Sequence, residues 1–574
     1  MGVSFGLQRM RLADGSVIEP PMDGMTVLIG PNNSGKSLLL REIYQMLHTH
    51  PGELENRRWI NSLDIYKEGS GEEFITWLER RGRQPRTDPR TGRTYLPGGP
   101  GSSEPGLEIP QAVRLWNNLT IGPLLHFLVI GHWTAERLND QSGSSQWDFS
   151  RPPTHPTQKL WENKAAHALF SNWIESAFGE PVTINRYEQA IRLQLGSTRM
   201  EDTPPPPPPE LRDAYARLPF LADQGDGMRA FVNIALHTLV TAPPVIIIDE
   251  PEAFLHPPQA RLLGRYLAMF TPSPCQIIVA THSAEFLGGV MEGNSVSQSA
   301  RPLVLARISR TGGVPASRFL PSEAVGEILS APLLRYSNII SGLFHDGVVL
   351  CEAEGDCAFY AATLDAVRAA GPHENLTFLH VNGKARLSDA AKKLRACGIP
   401  TAVIADLDFL NEATKVKQAL ASLGGNWDDV KDDFQVLQTH ASSAVVVRPA
   451  AEIKREIVEI IGNPRGREVL SQQKLDKIID HLKMANGWKT LKSSGLAGLN
   501  GEPHNAVKRL LDYFAARGFF LVPVGELECW VRNVSGSNKS LWLERVFSEG
   551  HHKEPSGDLR EFITGIVSYL VSAQ

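Results

Sequence analysis

The sequence predicts an α/β protein with two parallel-sheet domains, and three observations carry that reading. Short β-branched apolar runs alternate with helix-forming stretches in two series, one from Met25 to Ala280 and one from Val348 to Ala405. Alternation of this kind builds parallel sheet. The runs end on reactive residues: a Gly-rich loop with Lys36 and Ser37 in the first series, and clustered carboxylates in the second. The length of 574 residues also exceeds that of one compact domain.

Taken in order, Met25–Ile29 reads as a strand ending at Gly30, with a helix over Lys36–Leu47. Residues 69–106 are rich in Gly, Pro and Arg, and residues 138–158 are polar with several Pro, so both are expected to be surface insertions that bury little. A third insertion, 199–210, holds Pro204–Pro209, a polyproline II spacer before a helix near Glu210 that serves as a projecting loop or a docking site. Strand Val245–Ile248, a helix near Pro258 and strand Gln276–Ala280 complete one sheet. A helical connector follows Ala331. The second series is strand Val348–Cys351, helix Cys357–Ala369, strand Thr377–Val381, helix Leu387–Cys397 and strand Thr401–Ala405, with a late strand at Phe519–Val524. The expected division is 1–335, a connector at 336–345, a second domain at 346–535 and a C-terminal helical segment at 536–574. No internal repeat or sustained heptad run is visible.

Composition excludes several classes. With 42% hydrophobic and 21% charged residues the chain is ordinary globular material, neither disordered nor fibrous. Net charge is −5 and the pI about 6.4, so the surface offers no broad cationic field, and nucleic-acid contact has to come from a local patch or bound metal. The 5 cysteines, Cys275, Cys351, Cys357, Cys397 and Cys529, are odd in number and lack zinc or disulfide spacing, which points to free thiols in a cytoplasmic protein. No apolar run reaches the roughly 18–20 residues that span a bilayer, so no membrane association is expected.

Gly30-Pro-Asn-Asn33-Ser34-Gly35-Lys36-Ser37 fits G-x-x-x-x-G-K-[ST] between a strand and a helix. Glycines let backbone N–H groups turn onto phosphates, Lys36 reaches the β and γ oxygens, and Ser37 offers its hydroxyl to magnesium. The run Val245–Ile248 delivers Asp249 to a strand end, where it holds magnesium through water, and Glu250 polarises the attacking water. An acidic strand end alone is often a solvated turn; beside this loop it reads as a site for ATP and Mg2+.

Glu352, Glu354 and Asp356 follow one buried strand, and Asp406 and Asp408 follow another one βαβ step later. Strands of a parallel sheet end on one edge, so Glu352, Asp406 and Asp408 can share a small volume, where their repulsion calls for Mg2+ or Mn2+. The bland alternative is a set of unrelated solvated strand ends.

The Pro-Asn-Asn-Ser-Gly-Lys-Ser loop, Asp249-Glu250-Pro-Glu252 with Leu255-His256-Pro257, and Thr281-His282-Ser283 resemble the ABC-type ATPase heads of SMC-like and OLD-family proteins. The resemblance implies Glu250 as catalytic base and His282 as the switch histidine that senses the γ-phosphate. It also implies a signature turn, for which Leu221–Arg229 is the candidate; this keeps Gly225 and Gly227 but lacks the usual serine. Arg229 is then a phosphate contact and ATP pairs two heads. Glu352 within Glu-x-x-x-Asp356 and the Asp406-x-Asp408 pair resemble the Toprim fold, a Rossmann-like parallel sheet, which implies Asp356 as a further metal ligand. A head followed by Toprim is similar to OLD-family ATP-dependent nucleases. By that resemblance Glu526, with Glu528, is an extra metal ligand after the late strand, and Lys492, ahead of Lys489, is the catalytic cation.

The reading is an ATP-gated, divalent-metal-dependent DNA endonuclease or nickase in prokaryotic antiphage defence, a homo-oligomer through its heads. The resemblance also implies a second subunit in some cases, a helicase-like protein or a retron reverse transcriptase with its DNA. The alternative is an ATP-dependent nucleic-acid sensor or clamp whose Toprim domain binds without cutting; an SMC-type repair ATPase and a transporter ATPase fit less well. Arg80, Arg81, Arg83, Arg86, Arg90 and Arg93 form a basic stretch that either tracks phosphates or is a solvated loop. His551-His552-Lys553 reads as surface.

Overall fold

The computed structural model describes residues 2–48, 58–96, 106–139, 143–145, 147, 153–188, 190–241, 243–296, 301–311, 314–330, 338–368, 374–381, 383–443, 450–462, 469–475, 478, 487–534 and 538–573. The chain divides into two compact units, Met1–Leu329 and Ser330–Gln574.

In the first unit a six-stranded sheet runs in the order Val314–Leu320, Leu303–Thr311, Gly24–Ile29, Gln276–Ala280, Val245–Asp249, Val129–His132. Every neighbouring pair is parallel except the first. Val245–Asp249 and Gln276–Ala280 are buried along their whole length, which is why these strands read as unbroken apolar runs rather than alternating ones. Helix Lys36–His48 buries Leu39, Leu40, Ile43 and Leu47 against this core. An antiparallel sheet of Val17–Ile18, Ser4–Leu12 and Ile60–Glu68 adds to the same unit.

The expectation that residues 69–106 and 138–158 bury little is corrected. Ser70 and Glu73 form a capping box at the start of helix Gly71–Arg80, and Phe74, Ile75 and Leu78 face inward. Phe74 stacks on buried Trp116 with ring centroids 4.1 Å apart. Helix Pro156–Glu162 likewise begins inside the second stretch and buries Pro156, Thr157 and Gln158 there. Much of the basic stretch is engaged locally: Arg81 lies over Trp77 at 4.2 Å, Arg83 over Phe127 at 5.9 Å, and Arg93 pairs with Glu108 at 2.7 Å. The proline run ends on helix Pro209–Ala216.

The second unit is a four-stranded sheet, parallel throughout, in the order Leu376–His380, Gly347–Cys351, Thr401–Ala405, Phe519–Leu521. From Gly347–Cys351 the chain passes to one neighbour and then crosses to the other, so the order reverses between Gly347–Cys351 and Thr401–Ala405. Side chains that follow these two strands meet in the crevice where parallel sheets bind ligands. Helices Lys539–Ser548 and Gly557–Ser572 bury Trp542, Val546, Leu559 and Ile563 in the core that holds Val349 and Ile404. None of the 5 cysteines is joined in a disulfide. Among the described residues, no helix is long and apolar enough to cross a membrane.

Candidate functional site

The loop of the first unit has the backbone that phosphate wrapping needs. Asn33 and Gly35 take φ of 63° and 98°. A Cβ on Gly35 would sit 2.2 Å from the Trp59 ring, and one on Gly30 would sit 2.1 Å from the Ile308 carbonyl oxygen, so both positions require glycine. Ser34 is buried, and Lys36 Nζ donates to the carbonyls of Gly30 and Pro31 at 2.9 and 2.8 Å. Burial pushes the Lys36 ammonium down to about 8. Ser37 hydrogen-bonds the Asp249 carboxylate, which burial raises, and Asp249 Oδ1 is buried with no hydrogen-bond partner among the described residues. A hydroxyl and an unsatisfied carboxylate oxygen suit a hard cation, so Ser37 and Asp249 would hold magnesium.

The residues beyond Asp249 form a second layer. Glu250 has φ of 49°, strained for a side-chain-bearing residue, and its N–H is fixed to the Ala280 carbonyl at 2.8 Å. His282 Nδ1 lies 3.4 Å from Glu250 and 3.2 Å from Glu252. Its hydrogen bond with Glu250 raises the imidazole and lowers the carboxyl. Buried Glu252 also accepts from Thr281 Oγ1 at 2.8 Å and from the His282 backbone at 2.9 Å, so it orients the histidine. Buried Arg137 donates to the Asp249 carbonyl at 2.7 Å. Sequence reasoning gave neither residue a role: Glu252 was visible inside Asp-Glu-Pro-Glu, whereas nothing near Arg137 marks it.

Gly225 precedes the first turn of helix Asp226–Leu236 with open space around it, whereas a Cβ on Gly227 would sit 2.5 Å from the Phe254 carbonyl oxygen, which accounts for Gly227 locally. Arg229 pairs with Asp226 at 3.2 Å and donates to the Leu138 carbonyl.

In the second unit, Glu352 accepts a hydrogen bond from the Asp406 backbone, so the two strand ends are joined. Burial raises the pKa of both carboxyls; Asp408 and Asp356 push Glu352 up further, and Asp406 reaches about 7, driven first by burial and then by Glu352. The acids alternate with lysines. Lys384 Nζ contacts Asp408 Oδ1 and lies 3.7 Å from Glu352 Oε1, while Lys492 Nζ lies 3.6 Å from Asp408 Oδ2 and 3.2 Å from Glu526 Oε2. Burial works against the Lys492 ammonium, but Asp408 and Glu526 outweigh it and raise its pKa. Asp356 caps helix Glu354–Val367 through the Ala353 N–H at 3.1 Å and pairs with Lys539 at 2.6 Å. Glu354 is exposed, Glu528 adds its field to Lys539, and the side chain of Lys489 lies outside those described.

Among the described residues, no three His, Cys, Asp or Glu side chains converge as a ready-made metal cage. The ammonium groups of Lys384 and Lys492 stand between the carboxylates instead. The donor set nonetheless fits Mg2+ or Mn2+: it is all oxygen, and Glu352 Oε1 is buried with no hydrogen-bond partner among the described residues. Glu352, Asp406 and Asp408 would hold such an ion. Lys384 and Lys539 were missed; a Gly-Lys step opening a helix was the one available signal for Lys384.

Two family models match the chain. One, described as "AAA domain, putative AbiEii toxin, Type IV TA system", covers residues 210–288, and the other, "Overcoming lysogenization defect protein-like, TOPRIM domain", covers residues 343–408. The Old nuclease of Escherichia phage P2 is 27% identical over 177 residues, 29% of this chain and 28% of that protein, so the match spans under a third of the relative's length. An SMC head domain from Thermotoga maritima aligns with 56% of this chain and 100% of its own at 14% identity and a TM-score of 0.27. The SMC head with extended coiled coil bound to the ScpA C-terminal domain derived from Pyrococcus furiosus aligns with 57% and 98% at 12% identity and a TM-score of 0.31. Residues 210–288 are therefore similar to an AAA domain, and residues 343–408, later in the chain, to an OLD-like TOPRIM domain.

Proposed function

We propose that this ATPase head joined to an OLD-like Toprim domain is a DNA endonuclease or nickase that needs Mg2+ or Mn2+ and is gated by ATP. The observation that carries the proposal is the junction of Glu352 with Asp406 at the switch point of a parallel sheet, with Asp408 reached from Glu352 through Lys384. Buried like-charged carboxylates are costly alone and are stabilised by a divalent ion. Such an ion, when bound, would polarise a phosphodiester and activate water. Around it, Glu352, Asp406, Asp408 and Glu526 would fix the ion, and Lys492 would face the developing negative charge.

On this reading the head covers residues 1–335 and the Toprim domain 346–535, with 336–345 between them and the C-terminal helical segment after. The head binds ATP through Gly30–Ser37 and Asp249, Glu250 orients the attacking water and His282 senses the γ-phosphate. ATP pairs two heads across the Gly225–Arg229 turn, making a homo-oligomer, and antiphage defence with a helicase-like or retron-derived partner is the setting.

One observation favours a second reading, an ATP-dependent sensor or clamp that binds nucleic acid without cutting: Lys384 and Lys492 already offset the charge of Asp408. Supercoiled plasmid incubated with the full chain and Mg2+ or Mn2+, with or without ATP, separates the two. Relaxation that chelator abolishes and Lys36→Ala alters supports the nuclease, whereas plasmid retention with no relaxation under any condition supports the clamp.

A further inference from the structure

Asp408 is engaged from both sides. Lys384 donates to Oδ1, and Lys492 lies 3.6 Å from Oδ2. Lys384 is the more firmly placed. Its preceding residue, Gly383, has φ of 124° and donates its N–H to the Glu352 carbonyl at 3.3 Å, which ties the start of helix Lys384–Ala396 to the strand end. The Lys384 side chain is 25% exposed, against 39% for Lys492, so its charge is less screened.

A carboxylate oxygen that accepts from an ammonium has to release it before binding a divalent ion, since two cations within about 4 Å repel strongly away from bulk water. We infer that Lys384 is a resident counter-ion that a divalent metal displaces from Asp408. Once released from Asp408, the Lys384 ammonium would be available to pair with an anionic phosphate. The exchange is not charge-neutral: the divalent ion brings one more positive charge to Asp408 than the ammonium it replaces. Lys384 is a positioning residue here, and the inference rests on the metal-site reading proposed above.

The test is Mn2+ binding to the nucleotide-free full chain, followed by the electron paramagnetic resonance signal of free Mn2+. Lys384→Met is expected to bind Mn2+ roughly three- to tenfold more tightly than the parent, the range for losing one partly exposed charged contact. Lys384→Arg, which keeps the competing charge, is expected to stay within about twofold. In chelator Lys384→Met melts at a lower temperature than the parent, and Mn2+ raises its melting temperature by more. Unchanged or weaker Mn2+ binding by Lys384→Met overturns the inference; if that variant does not fold, Lys384→Gln decides by the same criterion. If Asp406→Ala binds Mn2+ as tightly as the parent, the metal site itself is refuted and this inference falls with it. If Asp406→Ala loses binding while Lys384→Met gains nothing, only the counter-ion role fails.

Discussion

The Glu352 carboxylate accepts a hydrogen bond from the backbone N–H of Asp406, joining the ends of two neighbouring parallel strands. Two acids drawn together in a poorly hydrated crevice resist ionising together. The cost falls on Asp406, whose carboxyl is pushed up to about 7 by burial and then by Glu352.

Metal-free stability should therefore depend on pH through Asp406. Its folded pKa lies above its unfolded value of 3.8, so the folded state holds the proton more tightly. That contribution is fully present below pH 3.8 and is lost as pH rises towards about 7. Its size is on the order of 2–4 kcal/mol. In chelator, the parent should lose more melting temperature between pH 5 and pH 8 than Asp406→Asn does; equal losses would remove Asp406 as the cause.

Glu250 and Glu252 should separate by kinetics. Glu250→Gln is expected to lower ATP turnover by about 100-fold or more while ATP still binds, the range for a lost general base. Glu252→Gln, which acts through the His282 ring, should lower kcat by about tenfold with KM little changed. Steady-state hydrolysis and nucleotide binding measured side by side check both, and a Glu252→Gln enzyme with unaltered kcat would deny it the orienting role.

Gly35 is constrained twice, by φ of 98° and by the Trp59 ring 2.2 Å from any Cβ. Gly35→Ala should cost about 1–3 kcal/mol and erase the rise in melting temperature that ATP with Mg2+ gives the parent. A variant that keeps the full ATP-dependent rise would show that the loop tolerates a side chain there.

Lys539 answers the buried charge of Asp356 at 2.6 Å. Lys539→Met leaves that carboxylate without its cation and should lower unfolding stability by about 1–3 kcal/mol in denaturant titration. A change below about 0.3 kcal/mol would mean that the helix cap alone satisfies Asp356.

What could be read from the sequence follows from physics that is local in the chain. The buried strands, the phosphate loop, Asp249 with Glu250, and the Glu352, Asp406 and Asp408 strand ends all announce themselves within a few residues, because an apolar run must end where the chain leaves the core. Lys384, Lys539 and Arg137 act across 24, 183 and 112 positions of sequence, and a lysine or arginine in a polar stretch carries no local mark. Helix Gly71–Arg80 was hidden for a different reason: its apolar stripe of Phe74, Ile75 and Leu78 is short and sits in a stretch dominated by Gly and Arg.

The most direct test of the central claim is the rate at which the full chain nicks supercoiled plasmid as Mn2+ is raised, compared with Asp406→Asn. The account predicts Mn2+-dependent nicking by the parent and a loss of about 100-fold or more in Asp406→Asn, although that variant is at least as stable at pH 8 in chelator. Equal rates for the two proteins at every Mn2+ concentration would contradict metal-assisted cleavage at the Glu352, Asp406 and Asp408 cluster.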